Sequence, residues 1–326
     1  MNRPSSFVVR RSSLHFAQGK PSSFVLRHSS FVLLLALCAF ALMPLTAPGY
    51  FSYAHDARHS VYFLRMFDEA LRDGAWYPRW AADMTFGYGY PLWLILAPIP
   101  FFVGEAFHLI GFDFVSAVKI VDGLAVFCSA LTMYLFAARV LGKRAGLVAA
   151  VTYVYVPYHL VDLYVRAAQA ELVAFVFPPL VFWAFHELMT THRARYIPLA
   201  ALAYAGLILS HISIAVIFTP VIGAYLLFLL VATRPMTIAS SKFEVQGSRN
   251  TQYALRARLL SRALAFPLAS ILLALALSAI FWLPVLFEQR YLTSDPFIGG
   301  FFNYRKHFLN AQQLFSPFWG YGYAGE

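Results

Sequence analysis

Between Pro91 and Gly111 the chain runs PLWLILAPIPFFVGEAFHLIG, an apolar stretch about as long as a bilayer crossing. Whether it crosses decides on which side every later loop falls. If it spans, Arg139, Lys143 and Arg144, then Arg193 and Arg195, then six cations from Arg234 to Arg262 lie opposite the basic N-terminus, stranding eleven Lys/Arg outside. If it does not, those loops join Arg3, Arg10, Arg11, Lys20 and Arg27, and sixteen of the twenty-five cations share one side, as the positive-inside bias requires. Pro91, Pro98, Pro100, Gly104, Glu105 and His108 also make the stretch a poor free-standing helix in lipid. The sequence therefore places it at the membrane surface, or dipping into it, within a long first outer loop over residues 50–116.

Composition agrees with a chain built for lipid. Of 326 residues, 60% are hydrophobic and 12% charged, far from the charge content of a soluble domain. The net charge of +10 sits in short loops beside apolar runs, where cations set orientation and meet anionic lipid, so no nucleic-acid partner is implied. Cys38 and Cys128 fall far apart in apolar runs and indicate neither a disulfide framework nor a zinc site. Residues 4–13 and 21–30 form a direct repeat, PSSFVVRRSS and PSSFVLRHSS, too short for a solenoid and read as a disordered basic cytoplasmic tail over 1–30. The apolar run that follows is longer than a signal-peptide core, and Ala47-Pro48 is a poor cleavage context, which favours an uncleaved first span.

Length and charge together predict an all-α polytopic membrane protein with about seven transmembrane helices, near 31–49, 117–138, 146–162, 171–189, 196–210, 213–233 and 264–287. The transmembrane domain is then 31–287. The run from Tyr196 to Thr233 would be nearly twice the hydrocarbon thickness as one helix, so it must turn back at Ser210-His211-Ile212-Ser213, its only polar cluster. In the outer loop, Ala57 to Asp73 reads as an amphipathic helix with Val61, Leu64, Phe67 and Leu71 on one face, lying flat in the interface with that face in lipid. The aromatic stretch around Gly87 and Gly89 follows at headgroup depth. Residues 288–326 read as an outer, irregular segment cut off without a closing span.

Acidic residues hardly affect orientation, yet they concentrate outside, which points to chemistry there. Asp56 can accept a proton from an acceptor hydroxyl or hold a divalent cation against a phosphate; it can equally be the N-cap of the helix it precedes. Arg79 and Arg166 lie at apolar segment ends, suited either to gripping a phosphate or to reaching water along the helix. The stretch Asp162 to Glu171 brings three charges to one spot, and Glu171 either stabilises a helix start or acts as a catalytic or metal carboxylate. His211 at its turn can bind phosphate, or be satisfied by neighbouring backbone. His55 and His59 are supporting candidates. Asp122, within a span, needs a partner that the sequence does not identify.

His55-Asp56, YPRW (77–80), FGYGYP (86–91), YVR (164–166), LSH (209–211) and LFSPFWGYG (314–322) together resemble the GT-C superfamily of membrane glycosyltransferases. The resemblance is closest to bacterial membrane proteins labelled 6-pyruvoyl-tetrahydropterin synthase-related, over about 31–326. It implies a protein of the bacterial cytoplasmic membrane and cell envelope, N-terminus cytoplasmic, that transfers a sugar from a polyprenyl-phosphate carrier to an outer acceptor. Asp56 and Glu171 would then be the catalytic carboxylates, with Arg79, Arg166 and His211 near the carrier phosphate, and a divalent cation would be a candidate cofactor. The chain departs from that pattern in having His-Asp where such transferases often carry two adjacent acids, and in lacking a donor-binding C-terminal part. The zinc-histidine site that pterin chemistry requires has no counterpart in the sequence. A transporter or flippase of a lipid-linked intermediate, or a non-catalytic membrane scaffold, are the alternative classes.

Overall fold

A computed structural model describes residues 28–51, 53–240 and 249–292, with Asn303, Arg305 and Phe308 as isolated positions. The direct repeat, the loop at 241–248 and nearly all of the segment after Leu292 lie outside the described residues. The described chain is helical: α1 (His28–Leu42), α2 (Ala57–Arg72), α3 (Leu92–Ile95), α4 (Ile99–Leu109), α5 (Phe114–Leu141), α6 (Lys143–Tyr155), α7 (Pro157–Val161), α8 (Gln169–Ala174), α9 (Phe177–Thr191), α10 (Tyr196–Ser210), α11 (Ile212–Ser240) and α12 (Arg249–Glu288). The single β-contact among these residues is an isolated antiparallel bridge between Ala81 and Tyr90.

Four helical stretches are long and apolar enough to cross a membrane: Phe114–Leu141, Gln169–Thr191, Ile212–Ala232 and Ser261–Tyr291. A fifth exists if Lys143–Tyr155 and Pro157–Arg166, bent by 43° at their junction, count as one span. Pro157 supplies the bend, because its nitrogen carries no hydrogen and cannot bond back along the helix. The expected seven is thus not reached by length: Val32–Thr46 and Tyr196–Ser210 are apolar but short. Both are nonetheless held in the bundle. Leu34, Cys38 and Ala41 of α1, with Leu45 in the 3-10 turn that follows it, form one buried face packed with residues of α5 and α6. In α10, Ala200, Ala201, Ala203, Ala205 and Gly206 are small enough to let α9 and α12 approach closely on several sides.

The stretch 91–111 is broken between α3 and α4, and α4 has 11 residues, roughly 17 Å of helix, well short of the hydrocarbon thickness. The break falls at Ala97 and Pro98, where the chain leaves α3 in an extended conformation and Pro98 opens α4. The turn expected between Tyr196 and Thr233 also occurs. His211 adopts an extended conformation (φ −161°, ψ 107°) between the end of α10 and the start of α11.

One expectation for α2 is corrected. Leu64 and Phe67 do not face lipid; they are 1% and 0% exposed and sit inside the protein. Phe67 packs edge-on to Trp93 and stacks near Phe101, and Leu64 closes on Ala117 and Val118 of α5. A helix whose apolar face meets α4 and the start of α5 buries that face more completely than the edge of a bilayer would.

Contacts between helix ends mark two ends of the bundle. At one end, Arg139 near the close of α5 pairs with Glu187 near the close of α9. The opposite end gathers the start of α5, the junction between α7 and α8, the turn at His211, and the C-terminal end of α12, whose Glu288 meets Arg79.

Candidate functional site

The site begins with a backbone clamp. The N–H groups of His55 and Asp56 donate to the carbonyls of Val165 and Arg166 at 3.0 and 2.8 Å, and the Ser60 hydroxyl lies 3.4 Å from the carbonyl of Ala167. These bonds fasten the N-terminus of α2 to a segment more than 100 residues later. That segment is irregular. Asp162–Arg166 forms a turn of π-helix, and Ala167 then adopts left-handed angles (φ 51°, ψ 40°) while almost fully buried. For a residue with a side chain that conformation costs about 1 kcal/mol, and such local strain concentrates at functional sites.

The clamp opens a cavity of about 240 Å³ lined by Asp56, His59, Ser60, Arg166, Gln169, Glu171 and His211. Phe63, Leu96, Pro100 and Phe101 form its apolar wall. Asp56 occupies the N-cap position of α2, but its side chain makes no capping bond. Its carboxylate is 53% exposed, with the His59 imidazole 3.6 Å away. The capping role therefore does not compete with a chemical one.

Arg166 is gripped on one nitrogen by the Asp162 carboxylate (2.8 Å), the Glu171 carboxylate (2.7 Å) and the Tyr158 hydroxyl (2.8 Å). Tyr158 in turn donates to the other Glu171 oxygen at 2.6 Å. Both oxygens of Glu171 are thus engaged, whereas Nε and the second terminal nitrogen of Arg166 meet no acceptor among the described residues. His211 accepts the Ile214 N–H on Nδ1 at 3.4 Å, which assigns the ring proton to Nε2. Burial, with a smaller contribution from Arg166, holds its pKa below the usual 6.5 against the opposing pull of Glu171. The ring is neutral at pH 7 and presents an N–H donor.

Five candidates read from the sequence, Asp56, His59, Arg166, Glu171 and His211, meet here. Two do not. Arg79 is held by Glu288 at 3.1 Å beside a separate cavity lined by Trp76, Tyr77 and α12, because the loop after α2 runs toward the last helix and away from α8. His55 contributes its backbone but is not among the residues lining the cavity. Tyr158, Ser60 and Gln169 had no role in the sequence reading, and Asp162 was not singled out there. A spacing of four residues from Tyr158 to Asp162 to Arg166 was the available signal. Asp122 now has partners: it accepts from Tyr50 at 2.8 Å and from Gln169 at 3.2 Å. Gln169 lines the cavity, so Asp122 reaches the site through one intermediary.

Among the described residues, no three of His, Cys, Asp and Glu are placed to hold a metal ion. With Glu171 doubly bonded and Asp162 paired to Arg166, Asp56 is the one carboxylate of the site left to ligate a divalent cation. That donor set does not fit a protein-held cation.

Residues 95–245 match the family model of the 6-pyruvoyl-tetrahydropterin synthase related domain, described as a membrane protein. The match contains Arg166, Glu171 and His211 and begins after Asp56 and His59. An uncharacterized protein of Lactococcus lactis subsp. cremoris (strain MG1363) is 23% identical over 206 residues, 62% of this chain and 33% of that protein. The chain therefore spans about a third of the length of this relative. No solved structure matches the chain significantly.

Proposed function

We propose that this membrane protein acts as a glycosyltransferase of the GT-C kind on the outer face of the bacterial cytoplasmic membrane, taking a sugar from a polyprenyl-phosphate carrier. The observation that carries this reading is the uncapped carboxylate of Asp56 facing one cavity with Arg166, Glu171 and His211. In the reaction, Asp56 takes the proton of an acceptor hydroxyl whose oxygen attacks the anomeric carbon. The bond from that carbon to the carrier phosphate breaks, and the phosphate leaves with the electron pair. The remaining guanidinium donors of Arg166 and the Nε2–H of His211 bind the departing phosphate oxygens. Glu171, Asp162 and Tyr158 hold the guanidinium in place. A cavity of about 240 Å³ holds a sugar and a phosphate but no polyprenyl tail, which would leave along Leu96, Pro100 and Phe101.

Asp56→Asn keeps the size of the side chain and removes its basicity. Transfer of labelled sugar from a polyprenyl-phosphate donor into membrane acceptor should fall at least about a hundredfold, with membrane insertion unchanged. Transfer at the wild-type rate removes Asp56 from the mechanism. A transporter reading draws on the Tyr50, Asp122 and Gln169 hydrogen bonds inside the bundle, since ionisable groups within spans mark ion or substrate paths. It requires lipid-linked substrate to move across proteoliposomes in an Asp122-dependent manner without any transfer.

A further inference from the structure

Gln169 opens α8 and lines the cavity, yet its side chain also crosses to α5, where Nε2 donates to the Val118 carbonyl and to the Asp122 carboxylate, both at 3.2 Å. Those two bonds use both amide hydrogens. They also fix which way round the amide sits, because reversing it would set Oε1 against two acceptor oxygens at hydrogen-bond distance. Asp122 is itself held, since its other oxygen accepts from the Tyr50 hydroxyl at 2.8 Å. What Gln169 has left is a single acceptor. Its Oε1 meets no donor among the described residues, and the residue is only 7% exposed on the wall of the cavity.

An acceptor in that position sorts the groups of a ligand. It repels a phosphate oxygen and takes a hydrogen bond from a hydroxyl, whereas Arg166 and His211, on the same cavity, offer donors and do the reverse. We infer that Gln169 sets specificity by accepting a hydrogen bond from a ring hydroxyl of the carrier-borne sugar, and that Asp122 and Tyr50 are positioning residues that hold its amide in the accepting orientation. The inference rests on the glycosyl-transfer reading and names a contact within that site. The Asp56 carboxylate, half exposed, stands on the open side where an acceptor hydroxyl enters, so the hydroxyl that reaches buried Gln169 belongs to the sugar already seated. A ligand that brings no donor leaves a buried carbonyl unmet, and the site rejects it for that reason.

Calorimetric titration of the full chain in detergent tests it, with citronellyl phosphate diesters of glucose, mannose and galactose as probes and citronellyl methyl phosphate as the diester without a sugar. Wild-type protein should bind at least one sugar diester more tightly than the methyl diester. In Gln169→Met that advantage should fall about tenfold, while affinity for the methyl diester, held through its phosphate, stays within about twofold. Gln169→Asn, one methylene too short to reach Asp122 and the sugar together, should lose the advantage as well, so either folded variant decides. Tyr50→Phe, which frees one oxygen of Asp122, should lose part of it. A purely structural role for Gln169 would weaken both kinds of probe alike. That result, an undiminished sugar advantage in a folded variant, or no sugar advantage in the wild-type protein overturns the inference and leaves carrier binding standing. Wild-type protein that binds neither kind of diester overturns the glycosyl-transfer reading and this inference with it.

Discussion

Asp162 has no exposed side-chain surface, and Arg166 is the one described cation paired with it. Removing that guanidinium leaves two adjacent buried carboxyl groups, Asp162 and Glu171, without the donor they share. Arg166→Gln should therefore destabilise the protein by about 2 kcal/mol, the scale for buried polar groups that lose a shared donor which itself keeps a third of its side chain exposed. Chemical unfolding in detergent measures it, and a loss below about 1 kcal/mol would mean that Asp162 has another partner. His211 makes a different prediction. Its folded pKa lies below its unfolded value near 6.5, so the unfolded chain binds the proton more readily. Stability contributed at this position is complete above about pH 6.5 and declines as pH falls toward the folded pKa. His211→Gln should remove that portion of the acid sensitivity, read as the difference between wild-type and variant unfolding curves below pH 6.5. Identical pH profiles would show that the ring is not held neutral by its surroundings.

Among the helices, two close crossings rest on glycine, and their tolerance should differ. A Cβ on Gly146 in α6 would sit 2.6 Å from the Cβ of Ala138 and 2.8 Å from its backbone, atoms of α5 that cannot move without shifting the helix. A Cβ on Gly206 in α10 would lie 2.1 Å from a Phe177 ring carbon, a closer approach but to the end of a side chain that can rotate. Gly146→Ala should therefore cost roughly 1–3 kcal/mol despite a gain of about 1 kcal/mol in helix propensity, and Gly206→Ala less. Thermal unfolding of the two variants gives the order, and the reverse order would show that α5 and α6 part more easily than the Phe177 ring turns. The amphipathic period of α2 was legible in its residues, and so was the unsuitability of 91–111 as a span, though not the place of its break. The partner of its apolar face was not, because a period reports which side is greasy and says nothing about whether lipid or protein covers it. The loop that carries Arg79 was equally opaque. Its course depends on Trp80 lying against Gly89, where even a Cβ would come within 2.2 Å, and on the exchange of two backbone bonds between Ala81 and Tyr90.

At the scale of the whole molecule, the two ends of the bundle predict opposite accessibility. In a background without Cys38 and Cys128, Arg144→Cys should be labelled by an impermeant thiol reagent only after the membrane is opened, and Asp73→Cys in intact cells. Labelling of both from outside would overturn the assignment of sides. Hydropathy and the distribution of Lys/Arg were enough to establish a helical membrane protein, a stretch before α5 unsuited to span and the reversal at His211, because these are properties of a local stretch of chain and its fit to the bilayer. They also put Asp56, Arg166, Glu171 and His211 at one membrane face. Only tertiary structure decided that these four share a cavity while Arg79 does not, and that Asp122 finds Tyr50, 72 residues away. Those meetings depend on the clamp between Asp56 and Arg166 and on the burial of α2 against α4 and α5, contacts between distant segments that no local pattern of residues encodes.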